Sequence, residues 1–283
     1  MKIGEILTQI IEFFKDSKIS YCENEPMSAH TTFKIGGPAR LMAFPKNEYE
    51  IALIIKKCNE LSKRYIVVGN GSNLLVDDTT IYAEAGAQLM KVCRVALENE
   101  LGGLEFAYGI PGSCGGGAFM NAGAYGGELK DVMFKCEHID ANGNVGSLEG
   151  DKLELSYRHS AYFDNGGMIT GVYFKLKKAD ANEIKAAMDD YMSRRRDKQP
   201  LEYPSAGSTF KRPEGHFAGA LIEQCNLKGT SVGGAEISTK HAGFVINTGN
   251  ATCNDVLQLC KRVADTVKEQ TGVDLEMEVR VTK

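Results

Sequence analysis

The chain has no tryptophan, seven prolines and five histidines among its 283 residues. Its eight cysteines form no C-x-x-C pair, and no two of them stand at zinc-ligand spacing with a histidine. That scatter argues against a structural zinc site or a redox dithiol, and reads as reduced thiols in a cytoplasmic protein without a metal. No apolar run is long enough to span a bilayer. The N-terminal MKIGEILTQIIEFFKDSK spaces its apolar residues helically and interrupts them with Glu5, Glu12 and Lys15, unlike a signal peptide. A basic excess is missing too: the net charge of −4 argues against nucleic acid as a partner. There is no G-K-[ST] Walker ending, no G-x-S-x-G elbow, no internal repeat and no obvious linker.

What is present has ordinary globular proportions, 43% hydrophobic and 25% charged. After the first helix, a polar stretch from Tyr21 to His30 leads to a strand at Ala39–Phe44. Asn47 is a good N-cap for a helix through Leu61 with Ile51, Ile54, Ile55 and Cys58 on its inward face. Tyr65–Val68 reads as a buried strand, followed by a glycine loop and a second apolar run, Leu74–Val76. A short strand at Thr79–Glu84 and a helix over Gln88–Asn99 come next. Asn142-Gly143 marks a hairpin between Phe134–Asp140 and Val145–Leu148. Met168–Leu176 alternates as a half-buried strand, and Ala181–Arg196 is a helix stopped by Pro200. The final third reads as a helix at Phe217–Cys225, a strand at Gly243–Asn247, a helix over Asn254–Gln270 and a terminal strand, LEMEVRVT. The order helix, strand, glycine loop, strand in its first part reads as α/β organisation.

Two glycine-rich segments carry the first chemical signal. In VVGNGSNLLV, Gly69 and Gly71 let the backbone approach a ligand, with Ser72 and Asn73 adding hydrogen bonds; a tight turn is the bland alternative. GIPGSCGGGAFMNAGAYGG, residues 109–127, holds eight glycines in nineteen residues. Ordering so much glycine costs backbone entropy, so a ligand lying against the main chain, a diphosphate above all, is the favoured reading. Cys114 inside it reads as a small buried thiol without a redox role. In SAGSTFKRP, Ser208 could be a phosphate ligand, a turn residue or a proton donor. Arg158, beside Tyr157 at an expected strand end, could clamp a substrate carboxylate in two-point fashion; a merely solvated arginine is the bland alternative. Glu276 and Glu278 share one face of the last strand, so either could be a carboxyl suited to acid–base work.

In their order, HTTFKIGGPA, VVGNGSNLLV, GLEFAYGIPGSCGGGAFMNAGAYGGE, LSYRHS, QPLEYPSAGSTFKRP, GGAEISTKHAGFVIN and LEMEVR resemble the blocks of the UDP-N-acetylenolpyruvoylglucosamine reductase (MurB) family from about Ser28 to Arg280. The resemblance implies an α+β fold with a vanillyl-alcohol-oxidase/PCMH-type FAD-binding domain and a C-terminal α+β substrate-binding domain. The expected division is residues 1–78 (with 279–283) and 79–199 as two FAD-binding subdomains, and 200–278 for substrate. It further implies non-covalent FAD, NADPH as hydride donor, and reduction of a UDP-sugar enolpyruvyl ether to UDP-N-acetylmuramate for peptidoglycan. Ser208 would protonate the enolate carbon, with Glu278 and Arg158 stabilising the enol. FAD would be held by Val68, Gly69, Asn70, Gly71, Ser72, Asn73, Gly109, Ile110, Pro111, Gly112, Ser113, Gly115, Gly116, Ala118, Asn121, Ala122 and Gly123. Tyr125 and Tyr157 would adjoin substrate. The short interval from Arg158 to Ser208 lacks room for the extra tyrosine-bearing loop of one subclass, which leaves Lys211, Arg212, Lys240 and His241 to grip the nucleotide. A monomer that touches no membrane is expected. Between Val76-Asp77-Asp78 and Thr79 the chain is shorter than the family pattern by about a β-hairpin. The competing readings are a hydroxy-acid flavoenzyme of the same fold class and a non-catalytic nucleotide-sugar binder.

Overall fold

A computed structural model describes residues 3–30, 34, 36–63, 65–68 and 78–281. The chain divides into two compact units, Met1–Tyr191 and Met192–Lys283.

The first unit opens with helix α1 (Ile3–Asp16), strand β1 (Ser20–Pro26), strand β2 (Pro38–Phe44) and helix α2 (Glu48–Glu60). β1 and β2 pair antiparallel, Ser20 against Phe44. The polar stretch expected after the first helix is therefore largely a strand: SYCENEP lacks an apolar face, and its pairing rather than its side chains makes it one. Ile10, Phe14 and Ile19 form the small core beneath it. Asn47 caps α2, its side chain accepting the Glu50 N–H at 2.9 Å. Of the expected inward face, Cys58 is buried and Ile51 is exposed, and Ile51, Ile54, Ile55 and Cys58 all border one cavity. The expected strand at 65–68 is absent. No described strand pairs with it, and Ile66 and Val67 are 78% and 80% exposed.

The larger core follows. Its elements are β3 (Thr80–Glu84), α3 (Leu89–Glu98), β4 (Leu101–Gly102), α4 (Cys114–Phe119), β5 (Gly123–Ala124), β6 (Gly127–Glu128), β7 (Met133–Ile139) and β8 (Val145–Glu149). Then come α5 (Tyr162–Asn165), β9 (Met168–Lys175), β10 (Lys177–Lys178) and α6 (Ala181–Lys198). β3, β9, β7 and β8 form an antiparallel sheet in that order. The β7–β8 hairpin turns as expected through Asn142-Gly143, where Gly143 takes φ +86°. β9 is central because it buries Ile169, Val172 and Phe174 against α3 and α4 residues such as Leu89, Val92, Cys93 and Ala118. Gly171 on β9 has a specific job: a β-carbon there would lie 2.5 Å from the Tyr82 hydroxyl, so its absence gives the Tyr82 ring room across the strand pair.

The second unit holds β11 (Ser205–Ser208), α7 (Ala218–Gln224), β12 (Ser231–Val232), β13 (Ala235–Ile237), β14 (Phe244–Asn247) and α8 (Cys253–Thr271). The sheet order is β11-β14-β13-β12. α8 starts with a reciprocal Thr252–Asp255 capping box and ends at Gly272, φ +76°. It buries Leu259, Val263 and Val267, four residues apart, against Ile222 and Ile237. The predicted terminal strand reduces to a single bridge between Phe210 and Met277, because the segment finds a partner there alone.

Candidate active site

The glycine segment 109–127 is not a loop throughout. Cys114–Phe119 is helical, with Ser113 as N-cap accepting the Gly116 N–H at 3.2 Å. Close packing selects some of its glycines. A β-carbon on Gly115 would lie 2.6 Å from that of Ala85, and one on Gly117 would lie 3.0 Å from Leu89 and 3.1 Å from Leu129. Others face open space: nothing lies within 4 Å of a β-carbon on Gly86 or Gly112. Gly86, Ser113, Gly115 and Gly116 line a cavity of about 490 Å³ together with Phe119, Met168 and Ile169.

Part of the expected diphosphate nest is already bonded within the protein. The Cys114 N–H donates to the Ala87 carbonyl (2.7 Å), the Gly115 N–H to Ala85 (2.8 Å) and the Gly116 N–H to Ser113, so these amides are spent inside the protein. What remains for a ligand is a cavity whose glycines, Gly86, Gly115, Gly116 and Gly167, face the apolar side chains of Phe119, Met168 and Ile169. Ala118 and Asn121, both expected as FAD contacts, have no exposed surface and cannot touch a ligand without the chain moving. Cys114 is buried as expected, and burial pushes its thiol up to about 12. Residues 69–73 of the first glycine loop lie outside the described residues. Val68, just before them, lines a second cavity of about 1340 Å³ with Met27, Arg40, Tyr82, Asp78 and Lys178. Arg40 stacks over Tyr82 there, 4.5 Å from the ring centre.

Three non-glycine residues with left-handed backbones come together beside α4. Gly123–Glu128 is a two-residue hairpin whose central residues, Tyr125 and Gly126, have φ +53° and +90°. Such turns favour asparagine or glycine at both positions, yet the first is a tyrosine, stacked 4.8 Å from Tyr191 at 8°. Arg158 has φ +55° in the turn closed by Ser156 and His159, whose N–H groups each donate to the other's carbonyl at 3.2 Å. It sits in a tight turn rather than at the expected strand end. Its guanidinium donates to the Gly123 carbonyl at 3.4 Å and lies 4.9 Å over the Tyr157 ring. Asn121, φ +41°, is the third. Left-handed backbone costs such residues about 1–3 kcal/mol each, a cost retained chiefly where geometry serves function. Glu128 adjoins the cluster. Its hydrogen bond from Lys130, with further help from Asn121 and Arg158, holds its carboxyl below the usual range.

In the second unit, Ser208 follows Gly207, φ +80°, and ends β11 exposed. The chain continues extended. The Glu278 N–H donates to the Thr209 carbonyl and the Lys211 N–H to that of Glu276, both at 2.8 Å. Ser208 and Glu278 are thus brought onto adjacent, hydrogen-bonded segments. Glu276 is instead taken by an ion pair with Lys211. Lys240 donates to the Arg196 carbonyl at 2.8 Å in the last turn of α6, and Arg212 lies 4.0 Å over the Phe217 ring. His241 is half-buried, its Nδ1 accepting the Gly243 N–H at 3.1 Å, and burial lowers its pKa. Burial therefore favours its neutral form. Among the described residues no cluster could hold a metal ion, and no helix is long and apolar enough to cross a membrane.

Comparison with known proteins decides the family. A UDP-N-acetylenolpyruvoylglucosamine reductase of Syntrophomonas wolfei is 45% identical over 97% of this chain and 98% of its own. The chain belongs to the UDP-N-acetylenolpyruvoylglucosamine reductase family. Its reductase relative in Caldanaerobacter subterraneus is 44% identical over 99% of both chains. The description of the reductase C-terminal domain matches residues 199–282. The crystal structure of the Thermus caldophilus reductase (MurB) superposes with a TM-score of 0.63 at 31% identity, covering 93% of this chain and 99% of that one. The fold is the FAD-binding PCMH-type α+β fold of the reductase family with its C-terminal domain. An alignment of 300 residues against a chain of 283 also requires this chain to lack residues that the Caldanaerobacter reductase has. Sequence reading missed Gly86 and Glu128. The glycine of AEAGA, between a strand and a helix, was the available signal for the first; Glu128 carries none without the hairpin that turns it back toward Asn121.

Proposed function

We propose that this chain is an FAD-dependent, NADPH-consuming reductase that converts UDP-N-acetylglucosamine enolpyruvate to UDP-N-acetylmuramate in the cytoplasm. The observation that carries the reading is 45% identity along nearly the whole chain to a reductase of that name. The glycine-lined cavity at Gly86, Ser113, Gly115 and Gly116 supports a flavin, and Val68, Gly109, Ile110, Pro111, Gly112, Ala122 and Gly123 are proposed to complete its contacts. Bound FAD would supply a two-electron carrier between the nicotinamide and the enolpyruvyl double bond.

The chain's own residues are assigned the remaining work. Arg158 binds the substrate carboxylate, whose negative charge grows as the double bond is reduced. A cation preset at that point stabilises the transition state more than the ground state. Glu278 is assigned to stabilising the enol intermediate together with Arg158. Ser208 delivers a proton from Oγ to the carbon bearing the ether oxygen; a weak acid suffices when the acceptor is a strongly basic carbon held within reach. Tyr125, Tyr157, Lys211 and Arg212 are assigned to the UDP-sugar. Lys240, engaged with the α6 carboxyl end, and His241, with its packed ring, are better suited to holding the unit's shape. Residues 1–78 with 279–283, 79–199 and 200–278 are proposed as the two flavin subdomains and the substrate domain.

Ser208→Ala tests the assignment. Loss of flavin absorbance on adding NADPH should proceed at the wild-type rate. Its recovery on adding the enolpyruvyl sugar should slow by about 10²–10⁴-fold. Equal recovery rates would remove Ser208 from the mechanism.

A further inference from the structure

We propose that Asn121 is a positioning residue for Arg158, acting through the Ser156–His159 turn, and not a ligand of cofactor or substrate. The inference rests on the function proposed above, which gives Arg158 its carboxylate. Asn121 has no exposed surface. Its amide nitrogen donates to the Ser156 carbonyl at 2.8 Å and to Glu128 Oε2 at 2.9 Å, while its amide oxygen accepts the Lys130 N–H at 2.9 Å. A primary amide has two donor hydrogens, and both are spent within the protein.

The Ser156 carbonyl is where this anchor matters. It also accepts the His159 N–H that closes the turn, at 3.2 Å. Within that turn Arg158 holds φ +55°, a conformation that arginine adopts only under constraint. Asn121 therefore fixes the base of the turn. Two residues along the chain, the Gly123 carbonyl accepts from the guanidinium at the turn's tip, at 3.4 Å. Gly123 is itself locked: a β-carbon there would lie 2.7 Å from the Gly127 carbonyl oxygen and 2.8 Å from Glu128. Glu128 completes the frame by accepting from Asn121 and pairing with Lys130 at 2.8 Å. One buried amide thus joins the hairpin, the segment after it and the arginine turn.

The test is a double-mutant cycle on the FAD-loaded protein, with FAD release on dilution followed by its fluorescence. Asn121→Gly removes the amide while leaving a residue at ease with positive φ. Turnover of UDP-N-acetylglucosamine enolpyruvate should fall by roughly 10- to 100-fold in kcat/KM, the scale of a misplacement near 1 Å, while FAD affinity stays within about twofold of wild type. In an Arg158→Ala background the same substitution should cost less than about threefold, because the residue it positions is gone. Asn121→Asp keeps the shape and the tolerance of positive φ but loses the donors. It should match the glycine variant, and it supplies the cycle if Asn121→Gly does not fold. Additive losses in the Arg158→Ala background, or a matching loss of FAD affinity, would overturn the proposal. A wild-type protein that ignores the enolpyruvyl sugar would instead overturn the functional reading beneath it.

Discussion

Two glycines a short distance apart should respond to alanine in opposite ways. Gly115 is packed: the new β-carbon would lie 2.6 Å from the Ala85 β-carbon and 3.2 Å from the Ala85 Cα and carbonyl oxygen. Carbon atoms prefer about 3.5–4.0 Å, so α4 must retreat by roughly 1 Å. Overpacking of that kind costs about 1–3 kcal/mol, and weakening the Gly115 N–H bond to Ala85 adds about 1. Against this, alanine gains about 1 kcal/mol over glycine in a helix. The net loss is about 1–3 kcal/mol, which lowers the melting temperature by roughly 2–12 °C. Gly86 has open space around its missing β-carbon and does not use a left-handed backbone. Gly86→Ala should leave the fold unchanged or more stable by about 0.4–1 kcal/mol. Because Gly86 lines the cavity assigned to the flavin, the same methyl should raise the FAD dissociation constant by roughly 5- to 100-fold. Thermal melts by circular dichroism on FAD-free protein, with FAD titrations beside them, read both effects. Wild-type stability for Gly115→Ala, or wild-type FAD affinity for Gly86→Ala, would refute the reasoning.

Two further outcomes follow from burial. Cys22 and Cys253 are exposed, whereas Cys93, Cys114 and Cys136 are buried with thiols pushed up to about 12. An aromatic disulfide reagent at neutral pH should therefore titrate Cys22 and Cys253 quickly and the buried thiols only after denaturation; rapid reaction of Cys114 would contradict the packing of α4. His241 is the second. Burial lowers its pKa from the usual 6.5, so the unfolded chain binds its proton more readily. Its contribution to stability is present above pH 6.5 and is lost as pH falls through the lower folded value. Replacing His241 with Gln should flatten that part of the stability profile below pH 6.5, and an unchanged slope would assign the effect to another group.

Much of the fold could be read because apolar spacing matched burial. Asn47 announced α2, the 3.6-residue rhythm of Leu89, Val92, Cys93 and Ala96 announced α3, and Asn142-Gly143 announced the β7–β8 hairpin. β1 could not be read, since SYCENEP becomes a strand only by pairing with β2. α4 was hidden for a stronger reason. Glycine is a poor helix former, and the helix exists because Ser113 caps it and Ala85, Leu89 and Leu129 leave room only for glycine. Residue types singled out Arg158, Ser208 and Glu278 as candidates, and the order of the blocks along the chain suggested the roles proposed for them. Sequence carries no sign that Asn121 would be sealed and fully bonded, or that the amides of residues 114–116 would turn inward. Those facts depend on which carbonyls the rest of the fold delivers.

The central claim is tested most directly by an anaerobic absorbance experiment on the purified, FAD-loaded protein. NADPH is added until the oxidised flavin spectrum disappears, and UDP-N-acetylglucosamine enolpyruvate is then supplied. The account predicts return of the oxidised spectrum within seconds, with one UDP-N-acetylmuramate formed per flavin. A spectrum that stays bleached in the presence of the enolpyruvyl sugar would contradict it.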